Sequence, residues 1–475
     1  MSVDETVSCI AAVFGGFILC YGLCSLVIKE RLYISEASVA VLCGILVGPY
    51  GFKLVVVDEW VSRVDFTREF CRLVIAIQVM AAGVALPKAY LRKEGLSLLV
   101  LLGPVMGWMW LASAACVYYV IPKLTFLESL MIASCFTPTD PVLANSIVQG
   151  HFAEKYVPAH VRNIISAESG ANDGLGYPFL FLALLLMRLP THEALTTWFL
   201  DIILYDIVYA ALLGFAAGYI ARVLLRYAQE KNLIDNESFL VYAVALALFL
   251  MGTVSLLGSD DLLACFIAGN SFTWDDWFRV RTEESHLMAT VDMLLNLSIF
   301  IYIGCTMPWS SFVDTTLGLS IQRLLFLALL VHLFRRVPVI TALYKWIPAI
   351  RTWREAAFSG WFGPMGVGSV FYAMVALEQL DPQGPHAYAR ELMEPVVYFI
   401  AFTSIIVHGV TIPLFFMGKL ATQSWTDLPR TRFYVNEDSN ESLAFNQSMR
   451  EQADNLSTYG ALSIYSEDSK IVCNE

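Results

Sequence analysis

Phe136-Thr-Pro-Thr-Asp-Pro141 and Ser359-Gly-Trp-Phe-Gly-Pro-Met-Gly-Val-Gly368 are the two stretches on which the fold turns. Each interrupts an apolar run long enough to cross a bilayer. Pro138 has no N–H to give the carbonyl of Ser134, nor Pro141 to that of Thr137. Two carbonyl oxygens are thereby freed at mid-membrane depth, beside the Thr139 hydroxyl and the Asp140 carboxylate. Unsatisfied backbone in hydrocarbon is costly, so such a break persists only where protein or a polar cavity covers it. A cation would satisfy these oxygens. A proline kink repaired by neighbouring side chains is the plainer account, but the acid between the two prolines favours an ion site. The second stretch carries four glycines and Pro364 within nine residues, which makes a continuous helix unfavourable. Taken alone, it would also fit close helix packing through small residues.

Around these breaks the chain reads as membrane protein. Of its 475 residues 57% are hydrophobic and only 15% charged, against roughly a quarter charged in soluble proteins. Thirteen apolar runs lie near 7–28, 33–50, 66–86, 96–121, 126–148, 160–187, 197–226, 237–257, 260–274, 287–307, 318–341, 353–380 and 393–418. Six runs per half, with the seventh as linker, pair the fifth with the twelfth. Interrupted runs in corresponding positions point to an inverted-repeat transporter. The expected fold is an all-α polytopic membrane protein of about 13 transmembrane helices in two inverted six-helix repeats, with broken helices 5 and 12 crossing in the core.

With the N-terminus outside, 22 of the 30 Lys and Arg residues fall on the inward side, which predicts a cytoplasmic C-terminus. The acidic start, Met1-Ser-Val-Asp-Glu5, lacks the basic residues of a cleavable signal, so the first run is expected to remain as an anchor. After Leu420 the composition turns polar, with nine acids, four basic residues and no apolar periodicity. The expected division is a transmembrane domain at 1–420 and a short, largely disordered cytoplasmic tail at 421–475.

Several functions are disfavoured by the same reading. A net charge of −12 without a basic patch argues against nucleic acid. No glycine-rich phosphate loop appears, so neither ATP nor another cofactor is expected. The ten cysteines sit mostly inside apolar runs, without metal-ligand spacing. No His/Asp/Cys constellation converges on a chemical centre, so a membrane enzyme is the weakest option.

The sixth run carries Ser166-Ala-Glu-Ser-Gly-Ala-Asn-Asp-Gly174. A charge at a helix centre costs at least about 2.5 kcal/mol on insertion scales and defaults to function. Ser169 and Asp173 are four apart and share a helix face, as do Glu168 and Asn172. One face would present Asp173 and Ser169 to a cavity, while the other turns Glu168 toward a counter-ion, Arg335 or Arg336 of the eleventh run.

The motifs Phe-Thr-Pro-Thr-Asp-Pro and Ala-Glu-Ser-Gly-Ala-Asn-Asp-Gly resemble those of fungal plasma-membrane sodium/proton antiporters, within the monovalent cation/proton antiporter superfamily. The resemblance runs through nearly all of 7–420. It implies a homodimer in the plasma membrane, with dimerisation helices and a six-helix core that holds both broken helices. By motif position it implies Asp173 as the ion- and proton-binding carboxylate, with Asn172 before it and Thr139, Asp140 and Ser169 completing a Na⁺ site. Glu168 would be the acid paired with an arginine of the eleventh run. Two departures limit the transfer. Many relatives end the third run with Glu-Leu-Pro where this chain has Ala85-Leu-Pro87, so no role for that acid is carried over. The 55 residues after 420 are expected to be a short tail unlike the long one of budding-yeast members, so nothing resting on that tail is carried over.

The function expected is exchange of Na⁺ or Li⁺ for H⁺ by alternating access, serving sodium extrusion and pH homeostasis. Desolvation favours a protonated acid and a bound cation favours the ionised one, so the two ions compete for Asp173. Asn172 stands where electrogenic relatives carry a second aspartate, which favours electroneutral exchange; Asp140 is the complication. A K⁺-selective or broad cation/proton exchanger is the alternative, and a cation channel or proton-driven uptake of an organic solute stands behind it.

Overall fold

The computed structural model describes residues 3–32, 34–57, 62–141, 143–144, 157–282, 285 and 287–426. The chain divides into units 1–415 and 416–475. The expected disordered tail lies outside the described residues from 427 onward, as does the end of the fifth run beyond 144. Among the described residues the regular structure is all helical, and each of the thirteen runs carries helix. Eight helical spans among the described residues are long and apolar enough to cross a membrane.

The helices used below are α1 (Val3–Leu26), α2 (Glu36–Val47), α3 (Arg63–Ala85), α4 (Met106–Val120), α5 (Phe126–Cys135), α6 (Ala159–Asn172), α7 (Gly176–Arg188) and α8 (Ala210–Glu230). They continue as α9 (Asn236–Leu256), α10 (Asp261–Phe272), α11 (Leu287–Cys305), α12 (Ile321–Phe334), α13 (Val337–Leu343), α14 (Trp353–Trp361), α15 (Val367–Gln379) and α16 (Ala387–Thr426). The fifth and twelfth runs are broken, into α5 and the segment after Pro141, and into α14 and α15. The start of α5 is fixed by a capping box: Thr125 Oγ1 accepts from the Glu128 N–H, and Glu128 Oε2 accepts from the Thr125 N–H.

The first turns of α3 hold charges that an apolar bilayer would reject singly, and each finds a partner on another element. Arg63 pairs with Glu394 at 2.6 Å, Arg68 with Glu378, and Arg72 with Asp261 at 2.9 Å. These pairs tie α3 to α16, α15 and α10 at one end of the bundle.

Elsewhere the helices meet through small residues. Lipid tails are as apolar as leucine, so helices associate by close backbone approach rather than by hydrophobic exclusion. Gly44 of α2 and Gly304 of α11 face each other, and a methyl group on either would overlap a carbonyl oxygen of the other helix, that of Ile301 or Val41. Gly214 and Gly218 of α8 meet the Ala264 and Ala268 carbonyls of α10 in the same way.

Gly304→Leu should therefore force α2 and α11 apart. Overpacking of this kind costs about 1–3 kcal/mol, so the purified variant is expected to melt at lower temperature in detergent. An unchanged melting temperature would show that the crossing is not a determinant of stability.

Candidate functional site

The crossing of the two broken runs is built from backbone. Past Cys135 the helix stops, and its last polar groups turn inward: Thr137 Oγ1 donates to the Ala133 carbonyl at 2.8 Å and Ser134 Oγ to Met131 at 2.6 Å. The Asp140 N–H then reaches across to the Pro364 carbonyl, 2.8 Å away in the opposite break. Its carboxylate returns the contact. Asp140 Oδ2 accepts from the Val367 N–H at 2.5 Å, and Oδ1 accepts from the Leu143 N–H at 3.1 Å. One side chain thus caps the helical turn that holds Leu143 and also the start of α15. The start of α15 carries unpaired N–H groups and a positive dipole end, which suits a carboxylate. Gly366 permits the approach, because any side chain there would overlap Asp140 Oδ2.

The sixth run departs from its expected continuity. Helix α6 ends at Asn172, α7 begins at Gly176, and Asp173-Gly174-Leu175 forms a turn between them. Glycines at 174 and 176 were the available signal for this third break. The partner that makes it tolerable lies 199 residues away. Tyr372 of α15 donates its hydroxyl to the Asp173 carbonyl and lies 3.3 Å from that of Gly174. Gly176 leaves room for the Tyr372 ring, which a methyl group there would meet at 2.5 Å.

Four of the expected site residues converge here. Thr139 and Asn172 exchange two hydrogen bonds, the Thr139 N–H to Asn172 Oδ1 at 3.2 Å and Asn172 Nδ2 to Thr139 Oγ1 at 2.8 Å. Ser169 Oγ lies 2.9 Å from Thr139 Oγ1. Asp173 is 1% exposed, yet neither of its carboxylate oxygens has a hydrogen-bond partner among the described residues. Its Oδ1 lies where α15 is open: a methyl group on Gly368 would sit 2.7 Å from it. A buried polar group without a partner asks for a water or an ion. Asp140, by contrast, is committed to the turn at Leu143 and the start of α15.

Beside this centre a second constellation locks three runs together. Arg336 donates to Glu168 through both terminal nitrogens, Nη2 to Oε2 at 2.7 Å, and its Nε donates to the Ser359 carbonyl at 3.0 Å. Arg335 instead donates to the Gly363 carbonyl at 3.0 Å. Of the two candidate arginines, Arg336 holds Glu168. Both guanidinium groups are buried, and the carbonyls they bind lie in α14 or in the break after it.

A clamp from α16 was not legible in the sequence. Ser404 Oγ accepts from the Met365 N–H at 2.8 Å, and His408 Nε2 lies 3.0 Å from the Trp361 carbonyl. His408 Nδ1 lies 2.8 Å from the Ser404 carbonyl, so the ring bridges its own helix and the break. Asp260 was also unforeseen: it caps α10, its Oδ1 accepting from the Leu263 N–H at 2.9 Å.

The family model for the sodium/hydrogen exchanger, transmembrane, matches residues 17–418. A probable Na⁺/H⁺ antiporter of Schizosaccharomyces pombe is 43% identical over 437 residues, covering 89% of this chain and 57% of its own length. The Na⁺/H⁺ antiporter of Saccharomyces cerevisiae is 40% identical over 426 residues, covering 86% of this chain and 43% of its own. This chain thus spans about half the length of these curated relatives. A second Na⁺/H⁺ antiporter of S. pombe, 36% identical, is matched over 90% of its length. In fold, the chain is similar to the sodium proton antiporter of Methanocaldococcus jannaschii, with a TM-score of 0.62 at 16% identity, over 86% of this chain and all of the other.

Glu168→Gln would leave Arg336 buried without its counter-charge. Breaking one side of a buried pair costs on the order of 3–5 kcal/mol, so lower expression and a lower melting temperature are expected before any specific loss of activity. An inactive variant with unchanged melting would contradict this structural role.

Proposed function

This chain belongs to the sodium/hydrogen exchanger family, and we propose on that premise that it exchanges Na⁺ or Li⁺ for H⁺ by alternating access. The observation that carries the reading is the Asp173 carboxylate, buried at the meeting of three helix breaks with neither oxygen hydrogen-bonded among the described residues. A carboxylate so placed is neutralised by a proton or by a bound cation, and the two compete for it. Thr139 and Ser169 supply hydroxyl oxygens on the neighbouring segments, and a Na⁺ ion at Asp173 would draw on them together with the backbone of the breaks. Asn172 holds Thr139 in position. Asp140 keeps the crossing together and lends its charge to the site.

The exchange we propose is electroneutral, and the charge balance of the core supports it. Glu168 is matched by Arg336, and Asp140 by the turn at Leu143 and the start of α15. Asp173 alone of these three carboxylates lacks a fixed partner, so one proton is traded for one sodium ion. Movement of the core past a dimer scaffold would expose the site alternately. We place the protein as a homodimer in the plasma membrane, N-terminus outside and C-terminus cytoplasmic, as a secondary transporter rather than an enzyme, serving sodium extrusion and pH and salt homeostasis.

Asp173→Asn should fold and yet exchange nothing, since an amide carries neither the proton nor the neutralising charge. The measurement is sodium-dependent proton flux in vesicles holding an imposed pH gradient, with K⁺ and sucrose as controls; normal flux in a well-expressed variant would remove Asp173 from the mechanism. The stoichiometry is tested in vesicles clamped at different potentials with potassium and valinomycin, once K⁺ transport by the protein is excluded. The exchange equilibrium is expected not to move with voltage, and a shift would bring Asp140 in as a second proton carrier.

A further inference from the structure

Away from Asp173, helices α3 and α11 carry buried polar groups that no part of the mechanism uses. Gln78 of α3 is 3% exposed, and its amide, which adjoins the Asp292 carboxyl, makes no well-formed hydrogen bond among the described residues. Asn296 of α11 is 7% exposed, with its Oδ1 unpartnered among the described residues. Asp292 stands four residues before Asn296, on the same face of α11. Its carboxyl faces the Gln78 amide, and the other groups acting on it are acids, Glu36 and Asp140. Glu36 already has Lys29. Among the described residues no Lys or Arg pairs with Asp292.

The helix registers show where these groups stand. Thr67 of α3 meets Tyr302 of α11 through their hydroxyls at 2.6 Å. Eleven residues along α3 from Thr67 is Gln78, three turns on and so on the same face, and eleven back from Tyr302 is the residue next to Asp292. A second pair sets the level against the core. Arg68 pairs with Glu378 of α15. Ten residues along α3 from Arg68 is Gln78, and ten back along the antiparallel α15 is Gly368, the residue whose open side admits Asp173 Oδ1. Gln78 therefore stands near the height of Asp173, on the helix that packs against both α11 and α15.

We infer that Asp292, Asn296 and Gln78 form a second cation station, an oxygen-lined stop for a partly hydrated monovalent cation between one membrane face and Asp173. The inference rests on the exchange reading above and adds to it a route on the α3 and α11 side. The donor set is three side-chain oxygens, one of them anionic, which suits a hard monovalent ion. Buried amides without well-formed hydrogen bonds are explained here by water or an ion passing through. Asp292 lies near the first turns of α11, so the station serves the face where that helix begins, the proposed cytoplasmic side. An anion on an access route raises the local concentration of every cation, protons included.

The test is sodium-dependent proton exchange by the full chain in vesicles of both orientations, with Na⁺ and H⁺ varied on each face in turn. Asp292→Asn is expected to raise half-saturating Na⁺ on the face where α11 begins by about tenfold, the size expected for one unscreened charge at close range. Half-saturating H⁺ on that face must rise by the same factor, because the equilibrium of exchange cannot change. The opposite face and the maximal rate stay put, and Asp292→Glu restores the normal values. Gln78→Glu is expected to move half-saturation the other way, and it decides the matter should Asp292→Asn fail to fold. Unchanged half-saturation, an equal rise on both faces, or a loss of maximal rate alone would overturn the station while leaving the exchange reading intact. A wild-type protein that exchanges no sodium would instead overturn the exchange reading itself.

Discussion

Backbone that leaves its helix inside a bilayer must find its hydrogen bonds within the protein, and this constraint organises the whole core. Three of the interrupted runs, the fifth, sixth and twelfth, meet in the core, and their breaks satisfy one another. Asp140 donates its N–H to one break and accepts at the turn that holds Leu143 and at the start of α15. Tyr372 covers the carbonyls freed at Asp173 and Gly174, and Ser404 and His408 cover Met365 and Trp361. None of these groups is a spectator, since removing any one leaves a buried polar atom unpaired at a cost of roughly 1–3 kcal/mol.

The same constraint explains why the fixed charges are fixed. Glu168 and Arg336 meet through both guanidinium terminal nitrogens, and the remaining Arg336 nitrogen is taken by Ser359. Such a pair contributes little net stability against an apolar substitute but is costly to break from one side. It acts as a latch between α6, the end of α12 and α14. A rigid frame of this kind lets one residual group, Asp173, remain unsatisfied until a mobile ion arrives. Rigid positioning of the surroundings and an incomplete centre are two aspects of one arrangement.

The scaffold helices use different physics. Gly44 against Gly304 and Gly214 and Gly218 against α10 bring backbones together without polar side chains. Against that background the amides of Gln78 and Asn296 stand out, because close apolar packing would have been the cheaper solution at both positions. The polar line they form lies where α3 meets α11, and α3 also packs against α15, so scaffold and core share the border along which an ion would travel.

By itself the sequence determined the membrane class, the positions of the apolar runs, the two proline-and-glycine breaks and the candidate acids. Each of these follows from local chemistry: hydropathy over about twenty residues, a missing N–H, or a charge too costly to leave in lipid. The choice between Arg335 and Arg336 was not local, because adjacent residues point to different neighbours and only the packing of α6 against the end of α12 selects Arg336. The third break at Asp173 looked like continuous helix because its compensation comes from Tyr372, far along the chain. Ser404 and His408 read as ordinary polar residues in an apolar run, and Asp260 as the edge of one. What the tertiary structure decided was which polar groups complete one another, since a hydrogen bond between residues 199 apart has no signature in either stretch taken alone.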